Sequence, residues 1–451
     1  MRPSYETRIA PVSDPSALAS GDSAAAREIV RRFHRLPEER VALLRQCATV
    51  AVGAGCDLYW VGGGVRDLWL GTSELDVDLL VDGEIATFAA QLAAAFGSDL
   101  RSHPEFLTAE LQAPGGFRVD LAQVRTERYA APAALPQVAP GTLASDFARR
   151  DFTINCLAIP LAPTFGDRLL DSCGGVADLE RRRLRVLHPA SFRDDPTRIL
   201  RGLEFEARFD FELEAATRRQ IERTIAEGTV ALLSPARLRE ALSRALARGR
   251  TVGRVLRRMR ELALLPAIDS SLVGTAGAEA SLENALEAFV RAAGRSLSPV
   301  FRLSLLCLAN DLAVGDRRRL TRRLALPAVD AMLLEEGPGR IRAAAALLAG
   351  GPAASDAHAC LAGLTDEELA LVAAGGEAQL EWVRRELDEL RGLLLRIGGR
   401  DLLAAGAIAG AAIGRALAET LAARLDGRIS AAEELAFASA VAATAAGEGR
   451  Q

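Results

Sequence analysis

The hydrophobic pattern of this chain changes character once, near Leu169, and that change limits what it can fold into. Before it, short apolar runs alternate with polar residues: LYWVGGG, LDVDLLVD, TAELQA and FRVDLAQV. Alternation at period two marks half-buried strands. Gly-containing turns and two helical stretches, PEERVALLRQCATVAVGAG and ATFAAQLAAAFG, separate them. Beyond Leu169 the strand signal nearly vanishes. The remainder is rich in Ala, Leu and Arg at helical spacing, and LLSPAR, EEGPGR and LAGGPAA are expected to break its helices. The chain therefore reads as α+β, one mixed domain followed by an all-helical region. Its 451 residues, 49% of them hydrophobic, suffice for several cores. Residues 1–36, Ser- and Ala-rich before turning helical, read as an N-terminal extension.

Several classes of protein are disfavoured at once. No apolar run reaches membrane-spanning length, and the start, MRPSYETRIAP, lacks the apolar stretch of a signal peptide. A soluble, cytoplasmic protein without a membrane partner is expected. Cys47, Cys56, Cys156, Cys173, Cys307 and Cys360 are scattered, with no CxxC pair, and read as reduced thiols. The net charge of −4 does not argue against nucleic acid, because binding depends on a local patch. There is no lysine, so every basic side chain other than histidine is a bidentate-capable arginine.

The most informative segment is VGGGVRDLWLGTSELDVDLLVDG, residues 61–83. Asp76 and Asp78 stand two apart in a strand-like run, so their carboxylates are expected on one face. Two convergent carboxylates give Mg²⁺ hard oxygen ligands and leave other positions to water and phosphates. Taken alone, a DxD also fits a solvent-facing strand edge. The residues upstream shift that balance: Gly62, Gly63 and Gly64 permit a turn whose N–H groups approach an anion, and Arg66 carries the charge to neutralise phosphate. Asp120, in FRVDLAQV, reads either as a third carboxylate of this site or as a strand Asp facing solvent.

Two further clusters follow. In DFARRDFTINC, residues 146–156, polar residues alternate with Phe152, Ile154 and Cys156, which predicts one buried face and one face of donors. Arg150 there reads as a phosphate holder or as half of a surface ion pair. In SFRDDPTRILRGLEFEARFDFE, Asp194 or Asp195 precedes Pro196, a helix-start signature. Asp195 and Arg198 lie three apart and Arg201 continues the row, so they share a helix face. A carboxylate beside a guanidinium can read the Watson–Crick edge of C or A; it can equally be a capping Asp with a helical ion pair.

In this order and spacing, the three clusters resemble the class II tRNA nucleotidyltransferase and bacterial poly(A) polymerase family. The family's GGxVRDxxLGxxxxDxD is matched by GGGVRDLWLGTSELDVD, and its RRDFTxN by RRDFTIN. RTERYAAPAALPQV and GGVADLERRRLRVLHPASFRDDPTRILR are similar to the family as well, and GRDLLAAG with LDGRISAAEEL more weakly. The resemblance is strong over roughly residues 58–210. It implies a polymerase-β-like nucleotidyltransferase head at 37–165, a helical neck at 166–240 that templates the nucleotide and contacts RNA, and a helical body and tail at 241–451 that hold tRNA. It implies Mg²⁺ on Asp76 and Asp78, and Asp120 as an additional catalytic carboxylate. It implies nucleotide contacts from Gly62, Gly63, Arg66 and Arg150, and base templating by Asp195 and Arg198 with Arg201 in support.

The implied activity is addition of C, A or both, from CTP and ATP, to the 3′ end of tRNA. Poly(A) polymerase is the alternative. Many such polymerases carry a GRRFRLAHV-like stretch where this chain reads SHPEFLTAEL, which favours tRNA. A non-catalytic RNA-binding protein on the same scaffold would have no need of the DxD. Oligomeric state is left open. Three positions depart from the family pattern: Asp194 replaces the usual Glu, Glu204 an Arg, and Ala409-Gly410-Ala411 a Pro-Gly-Pro. Arginine-rich stretches at 181–185, 248–258 and 317–323 would form a phosphate track if the fold aligned them.

Overall fold

The computed structural model describes residues 23–72, 76–274, 277–407 and 409–448. The chain divides into two compact units: residues 1–241 with 262–268, and residues 242–261 with 269–451. The first holds the sheet and the second, among its described residues, only helices.

The first unit begins earlier than the residue pattern suggested. Helix α1 (Ala24–Phe33) is capped by the Ser23 hydroxyl, which accepts from Ala26 N–H at 3.0 Å. Its apolar face, Ala25, Ala26, Ile29 and Phe33, is buried. Arg32 donates to the carbonyls of Leu68 and Trp69, at 2.9 and 2.8 Å. Residues 23–36 are therefore packed onto the mixed domain, and only residues 1–22 of the expected extension lie outside the described residues. Helix α2 (Glu38–Ala54) follows and stops at Gly55 in the left-handed region.

Six strands form one mixed sheet: β1 (Asp57–Val61), β2 (Val77–Asp82), β3 (Leu100–His103), β4 (Thr108–Gln112), β5 (Arg118–Gln123) and a late strand, Ala158–Ala162. Their order is β3-β4-β5-β2-β1 and then the late strand. Only β2 and β5 run parallel. Helix α3 (Gly63–Leu70) links β1 to β2, and α4 (Ile85–Phe96) links β2 to β3. The face carrying Leu79, Leu121 and Ala109, which are in register, is buried, and α4 packs over β3, β4 and β5 with Ile85, Phe88, Ala89 and Leu92 turned inward. The opposite face carries Asp78, Asp120 and Glu110.

A hairpin, Arg125–Arg128 with Gln137–Pro140, leads through a capping box at Thr142 and Ser145 into α5 (Leu143–Ala148). Residues 152–156 do not divide into the one buried face and one donor face that their alternation suggested. Thr153–Asn155 is a 3-10 turn, and Phe152 through Cys156 are all buried. Thr153 is not turned to solvent; its hydroxyl donates to the buried Asp178 carboxylate at 2.7 Å. Phe152 instead reaches the first long helix after the sheet, α6 (Thr197–Phe209). Its ring packs edge-on against Phe205 with centroids 5.9 Å apart. Gly202 makes this approach possible: a Cβ there would lie 2.9 Å from Phe152 Cζ.

The second unit is helical from Val252–Glu261 to Glu434–Glu448. Its main core gathers Leu306, Leu333, Ile341, Leu348, Leu361, Leu369, Val372 and Val383. A smaller core near the C-terminus uses Leu402, Ala416, Ala438 and Ala442, small residues that let helices approach closely. EEGPGR does not break a helix as expected: Pro338 lies inside Ala328–Ala349. Packing of Leu333, Leu334, Ile341 and Ala344 holds the helix through the missing N–H. No helix among the described residues is long and apolar enough to cross a membrane. All six cysteines are free thiols; Cys173 and Cys360 are half-buried and the other four buried.

Candidate active site

Gly62 has φ 70° and ψ −128°, a backbone state that L side chains rarely adopt. A Cβ there would stand 3.4 Å from Arg150 Nη1 and 3.7 Å from Asp78 Oδ2, so the glycine also keeps the space between them open. Gly63 begins α3. Gly64 has a packing reason of its own, since a Cβ would fall 2.5 Å from the Asp76 carbonyl and 2.6 Å from the Trp60 ring. Trp60 Nε1 donates to that carbonyl at 3.0 Å and fixes the backbone of Asp76. Asp76 is exposed and lies just before β2, whereas Asp78 lies within it, so one of the two expected strand positions is displaced by a residue. Glu74 falls outside the described residues, as do its two neighbours.

Cross-strand register builds a charged row. Asp78 pairs with Asp120, Asp120 with Glu110, and Glu110 with Arg101. Directly paired residues share a face, with Cβ atoms roughly 5 Å apart. Arg118 closes the row, with Nη2 2.8 Å from Glu110 Oε2 and 2.9 Å from Asp120 Oδ1. Burial, together with repulsion from Asp76 and Asp120, pushes the Asp78 carboxyl up to about 6, against the pull of Arg150 and Arg201. Such a carboxylate is short of positive charge, and that donor chemistry fits a divalent cation. Among the described residues no three His, Cys, Asp or Glu side chains form a ready metal cage. Mg²⁺ takes one or two protein carboxylates and completes its shell with water and phosphate. Glu110 and Arg118 escaped the sequence reading; the signal was a charged residue at an alternating position of TAELQ, in register with a strand no local pattern could pair.

The RRDFTIN segment is a hydrogen-bonded knot. The fully buried Asp146 accepts from Arg149 Nη2 at 2.5 Å and from Arg150 Nε at 3.1 Å. Arg150 Nη1 also donates to the Asn155 carbonyl at 2.8 Å. Asp151 accepts from Phe152 N–H and Asn155 Nδ2, both at 2.8 Å, and pairs with Arg201. Burial raises the Asp151 carboxyl, but Arg201 and these donors outweigh it and leave it below the ordinary value.

Arg66 lies against the glycine turn, where a Cβ on Gly63 would stand 3.5 Å from its Nη2. It is 3% exposed and does not line the cavity described next. Nε binds Asp67 Oδ1 at 2.8 Å, Nη1 binds Asn155 Oδ1 at 2.7 Å, and the guanidinium lies over Phe205 and Phe209, 5.1 and 4.6 Å from their centroids. These contacts tie the glycine segment, RRDFTIN and α6 together.

Asp195 and Arg198 do not pair with each other. Asp195 pairs with Arg237. Arg198 Nη1 binds Ser191 Oγ at 2.8 Å, and Nη2 binds the Arg149 carbonyl at 2.6 Å. Behind them, burial and the nearby Arg198 push the His188 imidazole down to about 4, although Asp194 Oδ2 stands 4.0 Å from its Nδ1. Gly62, Gly63, Asp78, Asp120, Arg150, Asp195, Arg198 and Arg201 all border one cavity of about 650 Å³, which also meets Glu110, Arg118, Tyr129 and Asp151.

Sequence comparison places residues 58–185 in the Poly A polymerase head domain family. The A-adding tRNA nucleotidyltransferase of Geobacter sulfurreducens is 40% identical over 249 residues, 55% of this chain and 28% of that one. The chain spans less than half the length of the A-adding relatives it matches. The multifunctional CCA protein of Halorhodospira halophila is 34% identical over 304 residues, 60% of this chain and 69% of that one. The chain belongs to this nucleotidyltransferase family. Its head is a polymerase head domain with a mixed sheet, followed by a helical remainder. The Thermotoga maritima CCA-adding enzyme, solved in complex with tRNA, matches with a TM-score of 0.75 at 27% identity, over 93% of this chain and 98% of that one.

Several arginines of the basic stretches are engaged locally. Arg183 and Arg185 bind the buried Asp178, Arg257 pairs with Glu279, Arg258 with Glu261, Arg318 with Glu335 and Arg319 with Asp269.

Proposed function

We propose that this chain adds C, A or both to the 3′ end of tRNA, using CTP and ATP. The observation that carries the reading is the cavity that joins Asp78 and Gly62 to Arg150, Asp195 and Arg198. In the reaction the 3′-hydroxyl oxygen bonds to the α-phosphorus, the bond to the β-phosphate oxygen breaks, and pyrophosphate leaves.

Asp76 and Asp78 would hold Mg²⁺, which when bound supplies charge to activate the hydroxyl and stabilise the pyrophosphate. Gly62 and Gly63 admit phosphate without a Cβ in the way, and Arg150 faces that space. Asp120 is the neighbouring carboxylate suited to receive the hydroxyl proton, with Arg118 setting its Oδ1. Arg201, anchored on Asp151, keeps α6 against the head. Asp195 accepts from the exocyclic amine of C or A, and Arg198 donates to their ring acceptors. A protein that works on tRNA with these nucleotides belongs in the cytoplasm.

The deciding experiment offers tRNA ending before CCA, and tRNA ending after CC, with each labelled nucleotide in turn. Incorporation of C, A or both on these ends supports the reading and fixes which nucleotides are used. A long A tract on unrelated RNA, with no preference for tRNA, points to poly(A) polymerase. Tight RNA binding with no incorporation points to a binding protein.

A further inference from the structure

The base-reading carboxylate is itself held from behind. Asp195 Oδ1 accepts three hydrogen bonds: from Thr197 N–H at 3.0 Å, from Thr197 Oγ1 at 2.6 Å and from Arg237 Nη2 at 2.8 Å. All three donors converge on one oxygen, which leaves Oδ2 as the atom offered to a base. Arg237 sits near the start of the helix Pro235–Ala245 and does not border the cavity. Its other terminal nitrogen donates to the Ala133 carbonyl at 2.6 Å and, more weakly, to that of Ala134 at 3.4 Å. Ala133 N–H in turn donates to the Arg193 carbonyl at 3.0 Å, and Ala133 has φ 59°, a state uncommon without glycine. The segment thus pinned connects Tyr129 and Pro136, which are cavity wall. One guanidinium fork therefore ties the reading carboxylate to the loop beside it.

We propose that Arg237 is a specificity-positioning residue: it fixes the rotamer of Asp195 and the neighbouring wall segment, so that nucleotide choice depends on a side chain that never touches the nucleotide. The proposal rests on the reading of Asp195 as the base reader. The physical ground is that discrimination by hydrogen bonding needs a rigid acceptor. A carboxylate free to rotate can follow a wrong base and satisfy it, which erases the penalty of an unpaired group. A charge-assisted bond on Oδ1 removes that freedom without occupying Oδ2. Lysine is a poor substitute, because an ammonium on a flexible stem does not reproduce a fork spanning two acceptors.

The test measures kcat and KM for all four nucleotides on one tRNA with wild type, Asp195→Ala, Arg237→Ala, Arg237→Lys and Thr197→Val. Arg237→Ala should lower the ratio of kcat/KM for the preferred nucleotide over the best wrong one by about tenfold, equivalent to about 1.4 kcal/mol. Arg237→Lys should regain part of that ratio. Thr197→Val, which leaves the loop untouched, should shift it in the same direction by a smaller factor. A merely structural role would scale kcat equally for every nucleotide and leave the ratio alone. An unchanged ratio in Arg237→Ala, with Asp195→Ala losing it, overturns the proposal. Should Arg237→Ala fail to fold, an unchanged ratio in both Arg237→Lys and Thr197→Val overturns it. An unchanged ratio in Asp195→Ala overturns the base-reading role itself, a different result from either.

Discussion

Arg66 Nη1 donates to Asn155 Oδ1 at 2.7 Å, joining the glycine-rich segment to RRDFTIN across 89 positions of chain. Both groups are buried, and Arg66 Nε holds the equally buried Asp67. This arginine is expected to act on stability first. Arg66→Ala leaves Asp67 facing only Arg208, 3.8 Å away, and strands the Asn155 oxygen. Removing one partner of a buried pair costs about 3–5 kcal/mol. Chemical denaturation should show a loss of that size. Near wild-type stability with a sharply raised nucleotide KM would instead mean that Arg66 faces the substrate.

Asp76→Ala and Asp78→Ala should each cut nucleotide incorporation by about a thousandfold or more, the scale on which removal of a charge-stabilising group acts. Circular dichroism should be unchanged, because Asp76 is exposed and Asp78 sits among repelling carboxylates that gain from its loss. Chelation of divalent metal should have the same effect and be reversed by added Mg²⁺. Both variants turning over near the normal rate would sink the assignment.

Gly202→Ala should destabilise the chain by about 1–3 kcal/mol, because the new methyl group meets the Phe152 ring in a filled interior. Phe152→Leu in the same chain should recover part of that loss. A double-mutant cycle reads the coupling, and strictly additive effects would mean that the two residues do not share the contact.

His188 should make stability fall in acid. Its imidazole is held down to about 4, against an ordinary value near 6.5. The fold therefore favours the neutral ring, so the contribution is complete above pH 6.5 and is lost as pH falls towards 4. The unfolded chain takes up the proton throughout that window and the native chain does not, for a total of about 3 kcal/mol. The stability gap between wild type and His188→Asn should narrow by roughly that amount between pH 7 and pH 4. A gap that does not change with pH would rule this out.

What the residues disclosed in advance was local. The alternation in TAELQ and FRVDLAQ places β4 and β5, and the spacing of Asp76 and Asp78 announces two neighbouring carboxylates. Each of Arg66, Glu110, Arg118 and Arg237 also has a partner on another element, and that partner could not be read from local pattern. The partners of Arg66 and Arg237 include Asn155 and Asp195, and no periodicity near either arginine encodes those distances. The alternation in RRDFTINC misled in the same way, because tertiary burial on both sides removed the solvent face it implied. Local pattern proposes a face, and packing decides whether that face stays open.

The six thiols have a practical consequence. Four are buried, and the two half-buried ones fall one in each compact unit, Cys173 in the first and Cys360 in the second. They also differ in reactivity. A hydrogen bond from Cys156, helped by Ser172 and Arg185 against burial, brings Cys173 down to about 7, whereas burial raises Cys360. Since the thiolate is the nucleophile, limiting maleimide near neutral pH should mark Cys173 first and a second dye should then take Cys360. With no lysine to compete, the natural chain accepts a donor and an acceptor fluorophore in sequence, so energy transfer between its two units can be followed as tRNA and nucleotide are added.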